Sequence, residues 1–136
     1  MINELTIHTD GGARGNPGPA AIGVVIEKEG SILHEFGEAI GRATNNVAEY
    51  TAVIRALEWC KSHNQKQGTK NFFLDSLLVV QQLNGIYKIK DAKLRELSLK
   101  IRMLEQEVGG VITYQAIRRE QNKEADLMVN QALDQM

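Results

Sequence analysis

The sequence predicts an α/β domain in which a meander of three strands precedes alternating helices and strands. Three observations predict it. Apolar residues alternate with polar ones from Leu5 to Gly11, the period of a strand with one packed face. The period becomes helical from Asn46 onward, with Glu49, Ala52, Val53, Ala56 and Cys60 in line. Further on, a short strand ends in Asp75-Ser76 and opens directly into a helix, the arrangement at which α/β proteins gather ligands.

Length and composition fit that class. A chain of 136 residues, 43% hydrophobic and 24% charged, is expected to form one domain over 1–136 with a single core. A net charge of -1 excludes a globally basic nucleic-acid binder, so any phosphate footprint must be local. Cys60 stands alone, which excludes an internal disulfide and fits a reducing compartment. The N-terminus lacks the basic-then-apolar pattern of a signal peptide, and no apolar run is long enough to span a bilayer. The expectation is a cytoplasmic monomer away from membranes.

In chain order, the first strand ends near Asp10 and runs into Gly11 to Pro19, too rich in Gly and Pro to continue it. Asp10 either begins that turn or presents a carboxylate from a rigid element. Ala20 to Glu29 and Ser31 to Ile40 read as a hairpin joined at Gly30. The helix from Asn46 to His63 carries Glu49 in line with its apolar face. Asn46-Val47-Ala48-Glu49 has the spacing of a capping box, and an acid at that place also suits a hard metal ion. Asn64 to Lys70 is a loop and Asn71 to Leu74 a short buried strand. Asp75 or Ser76 caps the helix that follows, leaving the other free for chemistry, and Asn84-Gly85 ends it.

The next stretch is locally basic, with Lys88, Lys90, Lys93, Arg95, Lys100 and Arg102 against Asp91 and Glu96. Leu94, Leu97, Ile101 and Leu104 give it a helical stripe, so the cations form an exposed face. That face is either merely solvated or a phosphate-backbone footprint. Gly109-Gly110 closes the helix, Val111 to Ile117 is the last strand, and Arg118 to Gln121 is a polar connection. Asn122 reads as N-cap of the last helix, packed through Ala125, Met128, Val129, Ala132 and Leu133. Asp126 lies in its first turns, where the helix dipole alone would also favour an acid.

Four stretches together closely resemble the ribonuclease H type 1 family. They are Thr9 to Pro19, Thr44-Asn45-Asn46-Val47-Ala48-Glu49-Tyr50, Asp75-Ser76, and Arg119 to Asp126, and they match in order over nearly the whole chain. The short length resembles the compact archaeal-like members that lack an extra basic helix. The resemblance implies a ribonuclease H-like fold: a five-stranded mixed sheet, three antiparallel strands and then two parallel ones, flanked by helices. It implies hydrolysis of the RNA strand of RNA–DNA hybrids, leaving a 5′-phosphate and a 3′-hydroxyl. Asp10, Glu49, Asp75 and Asp126 match the catalytic, metal-binding carboxylates, holding two Mg²⁺ ions for which Mn²⁺ can substitute. By the same resemblance Asp10 bridges both ions, Asp126 joins it on the side of the attacking water, and Glu49 and Asp75 join it on the leaving-group side.

Substrate contacts are expected from Gly11, Gly12, Arg14, Asn16, Thr44, Asn45, Asn46 and Ser76, with Lys88 and Lys90 added from the charge run. Asn16, Asn45 and Asn46 match minor-groove positions of the family, and Glu49 a position near a ribose 2′-hydroxyl, the group that marks RNA. Double-stranded RNA as a second substrate stays open. Two departures stand out. No His precedes the last helix, where many relatives have one, and the basic residues nearest that point are Arg118 and Arg119. Leu77 stands where several relatives have Gln. A non-catalytic binding module on the same fold is disfavoured by the presence of all four acids, and a DNA-cutting relative by Asn16 and Thr44-Asn45-Asn46.

Overall fold

The computed structural model describes residues 3–136. Strands β1 (Glu4–Ala13), β2 (Gly18–Lys28) and β3 (Ser31–Ala43) come first, then α1 (Asn45–Ser62), β4 (Thr69–Leu74), α2 (Leu77–Leu83), α3 (Ala92–Val108) and β5 (Val111–Ala116). A 3₁₀ turn at Arg119–Gln121 leads into α4 (Lys123–Asp134). The sheet order is β3-β2-β1-β4-β5. The first three strands pair antiparallel, while β4 and β5 run parallel to β1, as the family resemblance implies.

Alternation along the strands decides what covers each face. Leu5, Ile7, Ile22, Val24, Phe72 and Leu74 pack with Val53, Ile54 and Leu57 of α1, and α3 adds Ile101, Leu104 and Val108. Ala21 belongs to a smaller cluster with Val129 and Leu133 of α4, which lies against β1, β2 and β3. In α2 the packing falls to Val79, Val80 and Leu83, and Leu77 and Leu78, read as part of that helix's apolar content, are exposed.

Two close approaches seat the helices. A Cβ on Gly11 would lie 2.2 Å from the backbone carbon of Ala48, so only glycine lets α1 rest there on β1. Cβ atoms on Gly23 and Gly37 would lie 2.1 and 2.3 Å from the carbonyl oxygens of Ala125 and Met128, so α4 rests directly on β2 and β3. Both contacts converge on the stretch of β1 that carries Asp10, which pairs with Gly23.

The structure corrects several sequence expectations. β1 does not stop at Gly11: Gly11, Gly12 and Ala13 pair with Ile22, Ala21 and Ala20, so the Gly-rich run is mostly strand and the turn is shorter. Glycine here serves a close helix approach rather than a change of direction. β3 continues to Ala43, and β4 starts at Thr69, inside the stretch read as loop. Lys88 and Lys90 precede α3 rather than lying on it, because Asp91 caps that helix by accepting the Leu94 N–H at 3.0 Å. Among the described residues no helix is long and apolar enough to cross a membrane.

Candidate active site

Each acid reaches the site from a different element. Asp10 stands on β1, on the face toward α4, and only 7% of it is exposed. Glu49 comes from the first turns of α1, whose N-cap is Thr44: its Oγ1 accepts the Val47 N–H at 3.2 Å. The Asn46–Glu49 capping box does not form. The Glu49 carboxylate instead accepts the Gly11 N–H at 2.5 Å, and is 5% exposed. After β4, Ser76 caps α2 by accepting the Val79 N–H at 3.3 Å, so Asp75 is not needed as the cap.

Carboxylate oxygens of Asp10, Glu49 and Asp75 lie within 4.8 Å of one another. Asp126, exposed on α4, stands outside that group of three but lines the same cavity of about 470 Å³. Burial, then the charge of Asp75, pushes the Asp10 carboxyl up to about 7, and Asp126 adds in the same direction. Burial and the charges of Asp10 and Asp75 push Glu49 well above the usual carboxylate range, against the stabilising Gly11 N–H. Crowded acids held this way, offering oxygen and neither nitrogen nor sulfur, fit a hard divalent cation, which would relieve their repulsion.

The expected substrate contacts divide into two groups around this centre. Gly11, Gly12, Arg14, Asn45, Asn46 and Ser76 line the acid cavity itself. Asn16 and Thr44 line an adjoining cleft of about 650 Å³, together with Asn45, Asn46, Arg42 and Lys93. Asn16 Oδ1 accepts the Asn45 N–H, and Asn45 Oδ1 accepts the Ala13 N–H, both at 2.9 Å. With the carbonyl oxygens so engaged, the two side-chain NH₂ groups remain as donors. Arg14 pairs with Asp134 at 2.6 Å, an exposed contact worth about 0–1 kcal/mol and readily exchanged for a phosphate.

The cationic stretch is less uniform than its sequence. Lys93 pairs with Glu96, Lys100 with Glu58, and Arg102 with Glu105 and the Leu83 carbonyl. Arg102 is therefore a structural pin between α3 and the end of α2 rather than part of an open face. Lys88 and Lys90 are exposed, line neither cavity and have no acidic partner among the described residues.

Three residues in or beside the site were not among the expected contacts. Arg119 and Asn130 line the acid cavity. Asn130 follows Asp126 by one helical turn, and that spacing alone could have found it. Asn122 occupies the N-cap position of α4 without a side-chain cap bond; its side chain turns inward. His8, His34 and His63 do not line this cavity. His8 stacks on Phe73, and the other two stack with Trp59.

Comparison with known proteins gives a consistent picture. The family described as "Reverse transcriptase-like" matches residues 8–132. A bifunctional protein of Mycobacterium tuberculosis is 38% identical over 133 residues, covering 96% of this chain but 36% of the relative. Ribonuclease HI of Halobacterium salinarum is 43% identical over 129 residues, covering 92% of this chain and 62% of that protein. The chain thus spans about a third to under two thirds of the length of these curated relatives. Among solved structures, a ribonuclease H1 isolated from compost superposes with a TM-score of 0.93 at 47% identity, covering 98% of both chains. The same enzyme in complex with an RNA/DNA hybrid gives a TM-score of 0.92 at 46% identity, covering 96% of this chain and 97% of that one.

Proposed function

From a chain that belongs to the ribonuclease H type 1 family, we propose an endoribonuclease that hydrolyses the RNA strand of RNA–DNA hybrids and leaves 5′-phosphate and 3′-hydroxyl ends. The observation that carries this reading is the convergence of Asp10, Glu49 and Asp75 within 4.8 Å, with Asp126 on the same cavity wall. These four would hold two divalent cations, Mg²⁺ or Mn²⁺. Such ions supply Lewis-acid charge for an in-line displacement and a nucleophilic water near neutral pH.

The chain's own residues set up the rest. Glu49 is fixed by the Gly11 N–H, so its carboxylate is oriented before anything binds. Asp10 projects from a paired strand, the most rigid kind of support for a group that must not move. Asp126, on the exposed side, faces the solvent from which water enters.

Substrate choice follows from the neighbouring amides. A minor groove presents base acceptors and, on an RNA strand, 2′-hydroxyls. The free NH₂ donors of Asn16 and Asn45 suit those acceptors, and Glu49 beside them can accept from a 2′-hydroxyl. Lys88 and Lys90, exposed and without an acidic partner among the described residues, would steer the phosphate backbone without touching the reacting atoms.

Protein stripped with a chelator and given a labelled hybrid tests the reading. Cleavage should return on adding Mg²⁺ or Mn²⁺, with ends that a polymerase can extend. Ends carrying a 2′,3′-cyclic phosphate, or cleavage that persists in chelator, would rule the mechanism out.

A further inference from the structure

Asn122 is 1% exposed at the first turn of α4, yet its side chain makes no cap bond. An Asn at that position usually caps, a contribution that this helix forgoes. The side-chain nitrogen donates instead to the Thr9 carbonyl at 2.9 Å and to Asp75 Oδ2 at 3.1 Å. Both partners are acceptors, so the amide must present its NH₂ to them; the reverse orientation would set oxygen against two oxygens. The price is an Asn122 Oδ1 buried without a hydrogen-bond partner.

The neighbours of these two contacts give them meaning. Thr9 immediately precedes Asp10 on β1. The Asn122 carbonyl accepts the Asp126 N–H at 3.1 Å, starting the turn that carries Asp126. One residue therefore touches the strand of Asp10, the carboxylate of Asp75 and the backbone of Asp126. Of the three acids in the tight group, Glu49 has the Gly11 N–H and Asp10 accepts the same N–H at 3.0 Å. Among the described residues, Asp75 has only the Asn122 amide.

We propose that Asn122 is a positioning residue whose amide fixes the Asp75 carboxylate in the orientation from which it shares a divalent cation with Asp10 and Glu49. The identity of the bound group rests on the hydrolase reading above. The side chain must be neutral and must donate: an acid in its place would press a further buried charge against Asp75, and an alanine would leave that carboxylate free to rotate. Partners that orient metal ligands in this way typically govern metal affinity by about ten- to a hundredfold.

Mn²⁺ binding to the substrate-free protein, measured by calorimetry on wild type and Asn122→Ala, is the direct test. The variant should bind the ion about ten- to a hundredfold more weakly. Its hybrid cleavage should fall at limiting Mg²⁺, recover largely at saturating Mg²⁺, and show an unchanged KM for the hybrid. A folded variant with wild-type metal affinity would overturn the role of Asn122. Should Asn122→Ala fail to fold, wild-type protein still decides: the ¹⁵N side-chain NH₂ signals of Asn122 should shift on adding Mg²⁺ and stay still in Asp75→Asn. No shift in wild type would overturn the proposal. Asn122-dependent metal binding in a protein that leaves hybrids intact would uphold the positioning role and overturn only the hydrolase reading.

Discussion

The Gly11 N–H donates to the Glu49 carboxylate at 2.5 Å, across the contact where α1 lies against β1. The bond exists because residue 11 has no side chain: a Cβ there would fall 2.2 Å from the backbone carbon of Ala48 and 2.5 Å from the Glu49 nitrogen. Backbone cannot swing aside as a flexible side chain can. Gly11→Ala should therefore cost about 1–3 kcal/mol or more, as overpacking does, and displace Glu49 from the acid cluster. Denaturant unfolding and hybrid cleavage read the two effects. Wild-type stability together with wild-type turnover would contradict this packing argument.

Asp10→Asn should abolish cleavage while raising the stability of the metal-free protein at neutral pH. The Asp10 carboxyl is held at about 7 in the fold against an ordinary value of 3.8. A raised acid pKa means the folded state binds the proton more tightly. Its contribution to stability is fully present below about 3.8 and is lost as pH rises through about 7. Metal-free wild type should thus lose Tm relative to Asp10→Asn across that window, and added Mg²⁺ should restore wild type alone. Equal Tm profiles for the two proteins would remove the electrostatic half of the argument.

Neutralising Lys88 and Lys90 should weaken hybrid binding and flatten its salt dependence, with little change in single-turnover cleavage at saturation. Phosphate contacts position a duplex without doing chemistry. Adding Lys93→Ala should matter less, because Lys93 already pairs with Glu96. An unchanged salt slope in the double variant would mean that those cations are only solvated.

No histidine should be required. His8→Ala, His34→Ala and His63→Ala should each keep most activity, since none lines the acid cavity. Arg119 does line it, and Arg119→Ala should slow turnover more than any of the three. A large loss in one well-folded histidine variant, with Arg119→Ala unaffected, would reverse that ranking.

Glu49 and Asp75 interrupt a pattern in the sequence, whereas a turn accounts for Asp10 and a helix dipole for Asp126, so those two were legible only through the family resemblance. Glu49 sits in line with apolar residues, and Asp75 falls where a strand passes into a helix with a second capping residue beside it. Backbone contacts were harder to read. Gly11 and Gly12 look like a turn, and only the pressure of Ala48 on the strand explains why they remain in it. Gly23 and Gly37 carry no sign of the helix that rests on them. The cap of α1 falls on Thr44 rather than Asn46 because Glu49 is drawn across to Gly11. Asn122 has the look of an ordinary cap, and nothing local says that its amide is committed to β1 and Asp75.

Single-turnover cleavage of three duplexes of one sequence, RNA–DNA, DNA–DNA and RNA–RNA, in Mg²⁺ with wild type and Asp10→Asn, tests the central claim most directly. The account predicts that wild type cuts the RNA strand of the hybrid, that the DNA duplex survives, and that Asp10→Asn cuts neither. The RNA–RNA duplex reports only how far recognition depends on the DNA strand. An intact hybrid with folded, metal-loaded wild type, or a DNA duplex cut as fast as the hybrid, would contradict it.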